Sequence, residues 1–210
     1  MAKRAGWIIA CVAAGVVFYL LPWTEHVTAG FTMNGFDLAE WSSLHPAVRS
    51  SSPAMLTSFL LRAPLVALAA VLALAAQALP HARLRWLVWC GAAALVVRLL
   101  PPAELFTGAG DDPNYRQMLL LSVVGFGLVV AAIPLRALPD RIRRGLVAAL
   151  WAAGAAVGGA GLSRAWTLLD NFEIDVTTGP GVIGFVGVSA LAAALALWPR
   201  GFPGENKKGG

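Results

Sequence analysis

Apolar residues gather in six long runs, roughly 5–23, 54–79, 84–100, 117–135, 145–162 and 180–198, and nearly all the charge falls between them. A helix needs about 20 apolar residues to cross a hydrocarbon layer of about 30 Å. The six runs approach or exceed that length, the third being the shortest. Backbone amides in lipid must find partners within their own segment, so helices are the expected element. The pattern predicts an all-α integral membrane protein: a six-transmembrane-helix bundle over residues 1–200, then a flexible cytoplasmic tail at 201–210.

The first long loop departs from a plain polar connection. In "NGFDLAEWSSLHPAVR", residues 34–49, Phe36, Leu38, Trp41 and Leu44 stand among Asp37, Glu40, His45 and Arg49. Leu38, Trp41 and Leu44 recur every third position. Asp37, with Glu40 three residues on, resembles a capped helix start, and Pro46 limits continuation. These features predict a short amphipathic helix lying in the outer interface. Its apolar stripe either closes the bundle as a lid or docks a neighbouring subunit, which makes Phe36, Leu38, Trp41 and Leu44 docking candidates.

Charge sorts by side. If the N-terminus with Lys3 and Arg4 is cytoplasmic, six crossings place eleven basic residues against Asp140 and Glu205 inside, and five arginines against nine acids outside. Lys and Arg in short loops set orientation, so both termini are expected in the cytoplasm, in the plasma membrane of a bacterial cell. Trp7, Trp86, Trp89, Trp151 and Trp198 lie near inner ends and Trp23 and Trp166 near outer ends, as aromatic belts require. The chain is 58% hydrophobic and 13% charged, where soluble domains average about 25% charged. The pI near 9.9 thus reflects cytoplasmic loops and not a nucleic-acid surface, since no basic cluster is interleaved with stacking aromatics.

Small residues mark where helices can approach. Gly154 and Gly158 form a GxxxG pair in the fifth run, a spacing that permits close backbone packing. The pair serves either the internal bundle or a separate subunit. Pro64 and Pro134 are expected to bend or end their helices.

Three arginines, Arg62, Arg98 and Arg164, fall just inside the predicted outer ends of three runs. Each can snorkel to water or pair with Glu40, Glu104 or Asp170; alternatively they converge on an anionic headgroup or solute. Asp170, Asn171, Glu173 and Asp175, with Asp111 and Asp112 in a second loop, are hard oxygen donors of the kind calcium takes, but their spacing is not that of an EF-hand. His26, His45 and His81 lie outside the spans, which argues against a bis-histidine haem in the bundle. Cys11 and Cys90 read as inert core thiols. No P-loop, GxSxG, HExxH or intramembrane carboxylate pair occurs.

The expectation is a non-catalytic accessory or scaffold subunit of a larger membrane complex, with a transporter, channel or permease-like component as the alternative. Membrane lipid and other membrane subunits are the expected partners. No cofactor is predicted, although a bound lipid or pigment is compatible with the chain.

Overall fold

The computed structural model describes residues 2–26, 32–51 and 55–198; Arg200, Lys207, Lys208 and the tail expected at 201–210 lie outside them. The elements in order are α1 (Ala2–Leu20), β1 (Pro22–Glu25), β2 (Thr32–Asn34), α2 (Gly35–Leu44), α3 (Pro46–Arg49), α4 (Thr57–Ala76), α5 (Ala82–Val97), α6 (Glu104–Thr107), α7 (Pro113–Leu135), α8 (Asp140–Asp170), β3 (Thr177–Thr178) and α9 (Pro180–Leu197). Among the described residues five helices, α1, α4, α7, α8 and α9, are long and apolar enough to cross a membrane. The run expected at 84–100 becomes α5, which has sixteen residues. Pro80 and the Pro101–Pro102 pair bracket it and disfavour helix on the residues that precede them. At 1.5 Å per residue α5 rises about 24 Å, less than a typical hydrocarbon thickness of about 30 Å.

α4 is the hub. Of its apolar stretch 72% is buried, against 33–39% for the other four long helices. α1, α5, α7 and α8 pack on it, and α9 fills the remaining side between α1 and α8. Outward faces carry large apolar side chains such as Val123 and Val130 on α7 and Ile183 and Leu191 on α9. Faces of this kind are unfavourable in water and suited to hydrocarbon.

The seam between α4 and α8 explains the GxxxG pair. A β-carbon on Gly154 would sit 3.0 Å from the Ala67 side chain, and one on Gly158 would sit 3.0 Å from Pro64. Gly161 continues the face against the Leu61 backbone. Pro64 removes the amide that would bond the Leu60 carbonyl, and it presents a flat surface to Gly158.

Helix ends differ from the apolar runs for local reasons. α8 continues to Asp170, well past 162, because Ser163, Arg164 and Thr167 interrupt apolarity without breaking helical geometry. α7 begins at Pro113, before the run, where the Asp112 carboxylate accepts from the Asn114 and Tyr115 amides. α2 is capped by Asn34 and not by Asp37: the Asn34 Oδ1 accepts from the amides of Phe36 and Asp37 at 2.9 and 3.0 Å. Asp37 instead accepts from Asn34 Nδ2 at 2.6 Å.

The fold is not all-α. β1 is the centre of a small antiparallel sheet in the order β2-β1-β3, with Glu25 opposite Thr32 on one side and Thr177 on the other. Pro22 cannot donate an amide to prolong α1. Trp23 then folds back, and its indole N–H donates to the Phe18 carbonyl at 3.1 Å. Gly179 and Gly181 lie against the carbonyls of Pro22 and Leu21 so closely that a β-carbon has no room.

The helices thus end at two poles. At one, the sheet, α2, the C-terminal ends of α1, α5 and α8 and the N-terminal ends of α4, α7 and α9 come together. At the other, Arg4 of α1, Asp140, Arg143 and Arg144 of α8 and the Trp198 carbonyl after α9 form one cluster. Gln77, Arg85 and Arg136 line a neighbouring cavity there.

Candidate functional site

At the α2 pole two arginines share one aromatic ring. The Arg98 guanidinium lies 4.5 Å from the centre of the Phe36 ring and that of Arg62 lies 5.8 Å from it. Phe36 is brought there by α2, whose buried face is Gly35, Leu38, Ala39, Ser42 and Ser43. Gly35 is the point of closest approach: a β-carbon on it would meet the Tyr19 ring at 2.8 Å.

Arg62 does not snorkel. Only 2% of it is exposed. Its Nη1 donates to Ser58 Oγ at 2.6 Å and to Asn114 Oδ1 at 2.7 Å, and the Ser58 hydroxyl donates to the same Asn114 oxygen at 3.0 Å. Arg62 Nε has no hydrogen-bond partner among the described residues. Neutral acceptors and a ring face therefore hold a buried cation. Burial of an ion is costly unless it is paired, and a desolvated cation–π contact offsets part of that cost. Arg98 caps the C-terminus of α5, where the helix dipole favours a cation, and it is exposed. Among the described residues no carboxylate stands within ion-pair distance of either arginine.

Two cavities flank this pair. A cleft of about 280 Å³ is lined by Tyr19, Asn34, Phe36, Asp37 and Arg98, with Val16, Leu20, Leu65 and Leu95 beneath. Tyr19 is fixed by donating to the Leu61 carbonyl at 2.9 Å. A second cavity of about 210 Å³ is more open to polar groups and is bordered by Arg49, Ser58, Asp112, Asn114 and Gln117. Phe36 belongs to the first cavity, Ser58 and Asn114 to the second, and Arg62 touches all three.

The remaining sequence candidates separate. Arg164 is exposed on α8 and Glu104 is exposed on the short α6; neither has a contact to Arg62 or Arg98. Glu40 is exposed, and among the described residues it forms no ion pair with Arg62. Asp170 and Asn171 end α8, Glu173 adopts φ 56°, and Asp175 follows in the loop. Among the described residues no group of three or more His, Cys, Asp or Glu side chains gathers as a metal site, these four positions included. Asp112 is used as a helix cap and Asp111 as the ion-pair partner of Arg116.

The docking candidates are largely consumed inside the chain. Leu38 is fully buried, Phe36 and Trp41 are half-buried against the core, and only Leu44 points outward. Leu38 faces inward with the small residues Gly35, Ala39, Ser42 and Ser43, whereas Leu44 falls outside that face. Gly154 and Gly158 face α4, so that pair is filled within the chain. Trp41 instead meets His45 and Phe172 edge-on, at 5.6 and 6.3 Å between ring centres. His45 Nδ1 accepts from the Ala47 amide at 3.1 Å, which starts α3.

Sequence reasoning missed Tyr19, Ser58 and Asn114. Asn114 sits in "DDPNY", where Pro113 and two aspartates read as turn chemistry. The available signal was a helix-capping Asp followed by Pro, which places the next amide in the first turn of α7. No protein-family model, curated protein or solved structure matches this chain, so what the site does rests on its own geometry.

Proposed function

We propose that this chain is a non-catalytic, multi-pass membrane protein that binds an anionic group in the cleft beside Phe36. One observation carries the reading: two guanidinium groups converge on a single ring with no carboxylate partner among the described residues. A guanidinium offers planar, paired donors suited to phosphate or carboxylate. The Arg98 head is exposed and available, while Arg62 adds positive field from below.

In this reading α5 makes a sixth crossing, assisted by tilt or local thinning of the bilayer. Its packing on both α4 and α7 supports that assignment. The cluster of Arg4, Arg143 and Arg144 faces the cytoplasm and the α2 pole faces outward, as the distribution of Lys and Arg favours. The membrane is the plasma membrane of a bacterial cell. An accessory role in a larger assembly would use a surface other than the Gly154–Gly158 pair, which packs on α4.

The test is thermal unfolding of the detergent-purified, delipidated protein during titration with glycerol 3-phosphate, a soluble phosphate monoester. A ligand that binds only the folded form raises Tm with concentration. Wild type is expected to respond and Arg98→Gln not to; equal shifts in both, or none in either, overturn the reading. A permease-like component is the second reading, favoured by the polar cavity on the far side of Arg62. Solute flux into liposomes that stops in Asn114→Leu would select it.

A further inference from the structure

The cleft beside Phe36 does not end at its polar rim. Val16 and Leu95, which form its lower wall, also begin an apolar trench of about 360 Å³ that runs toward the other pole. Its walls are α1, with Val12 and Val16, and α5, with Val88, Gly91 and Leu95; its floor is Leu72 of α4. α1 and α5 both pack on α4 but scarcely touch each other, which leaves the trench open along its length. From this continuity, and resting on the anion-binding reading above, we infer that the ligand is a membrane phospholipid, with its phosphate at Arg98 and one acyl chain laid in the trench.

Three observations select this occupant. The first is polarity order: a cation and ring at one end and almost wholly apolar walls below reproduce the order of groups along a phospholipid. The second is length. Val88 to Arg98 spans ten residues, about 15 Å of helix rise, and a single leaflet occupies half of a core of about 30 Å. The third is the carboxylate at the rim. Asp37 lines the cleft and accepts from Asn34 Nδ2; beyond a phosphate it faces the part of a headgroup that carries hydroxyl or ammonium donors.

Hydrophobic transfer supplies no drive here, because the chain leaves one hydrocarbon environment for another. Selectivity comes from the phosphate on Arg98 and from van der Waals contact in a trench already formed. Gly91 is where that contact can be removed. A β-carbon there meets only Leu72 Cδ2, at 3.7 Å, so a larger side chain enters the trench without forcing the backbone.

The experiment purifies the full chain from native membranes in mild detergent and counts bound phospholipid by native mass spectrometry. The glycerol 3-phosphate response is measured on the same proteins after bound lipid has been removed by detergent exchange. Wild type is expected to retain one phospholipid. Gly91→Phe is expected to lower that occupancy by about tenfold or more, equivalent to about 1.4 kcal/mol, while keeping its response to glycerol 3-phosphate. Arg98→Gln is expected to lose both. Val88→Phe blocks the same trench from another position if Gly91→Phe elutes as aggregate. Undiminished lipid on both trench variants overturns the inference and leaves the anion reading standing, as does a protein chain in place of lipid. Loss of the soluble response in wild type as well overturns both.

Discussion

Replacing Gly161 by alanine should weaken the protein, whereas the same change two residues earlier should not. At Gly161 the new β-carbon would lie 2.9 Å from the Leu61 backbone nitrogen, 3.0 Å from Leu61 Cγ and 3.1 Å from the Leu60 carbonyl carbon. Ordinary carbon contacts are about 3.5–4.0 Å, so α4 and α8 must separate by roughly half an ångström. Backbone atoms cannot swing aside as a side-chain end can. Forced expansion of a packed interior typically costs about 1–3 kcal/mol. At Gly159 nothing lies within 4 Å of the added atom. Both substitutions gain a similar helix propensity, about 1 kcal/mol, and this cancels in the comparison. Gly161→Ala should therefore be less stable than Gly159→Ala by about 1–3 kcal/mol. The assay is unfolding in mixed micelles with increasing SDS, followed by fluorescence of the buried Trp23 and Trp151. Equal midpoints and slopes for the two variants would refute the α4–α8 seam at Gly161.

Asn114→Ala should cost about 2–3 kcal/mol by depriving the buried Arg62 of a charged hydrogen bond, and adding Arg62→Met should restore most of the loss in the same unfolding assay. Recovery absent in the double variant would mean that Asn114 acts through something other than Arg62. Asp140→Asn removes an acid that Arg4, Arg143 and Arg144 share, whose carboxylate side chain is 35% exposed. After discounting for solvent, the loss should be about 0.5–1 kcal/mol at low salt and smaller at high salt; a salt-independent loss would point to packing. Single cysteines at Arg141 and Thr167, placed in a Cys11→Ala, Cys90→Ala background, should label from opposite sides of sealed spheroplasts, and labelling from one side would overturn the proposed orientation.

Most of the bundle was legible because a bilayer demands long uninterrupted apolar runs, and α1, α4, α7 and α9 follow them closely. α8 extends past its apolar run because helix formation tolerates Ser163 and Arg164, whereas an apolar count does not. The sheet was invisible: β1 and β3 are four and two residues long and lie about 150 positions apart, far beyond any local periodicity. That Arg62 lies near the start of α4 and Arg98 at the end of α5, both at the α2 pole, could be read from their place in the runs. Their common ring could not, because Phe36 reaches them only after Gly35 seats α2 on Tyr19. The GxxxG spacing foretold a close approach but not its partner, which is decided by Pro64 and Ala67 on a different helix.

The pairing of β1 with β3, together with the bonds from Arg4 and Arg144 to the Trp198 carbonyl, makes the first helix a neighbour of the last at both of its ends. Arg4 and that carbonyl are 194 positions apart. During synthesis α1 must wait with one flank bare until α9 leaves the ribosome. α9 then packs against α1 in a non-local step, the kind that loop-closure entropy makes slow. A stalled chain lacking α9 would expose the flank formed by Phe18 and Tyr19, which a quality-control protease can recognise.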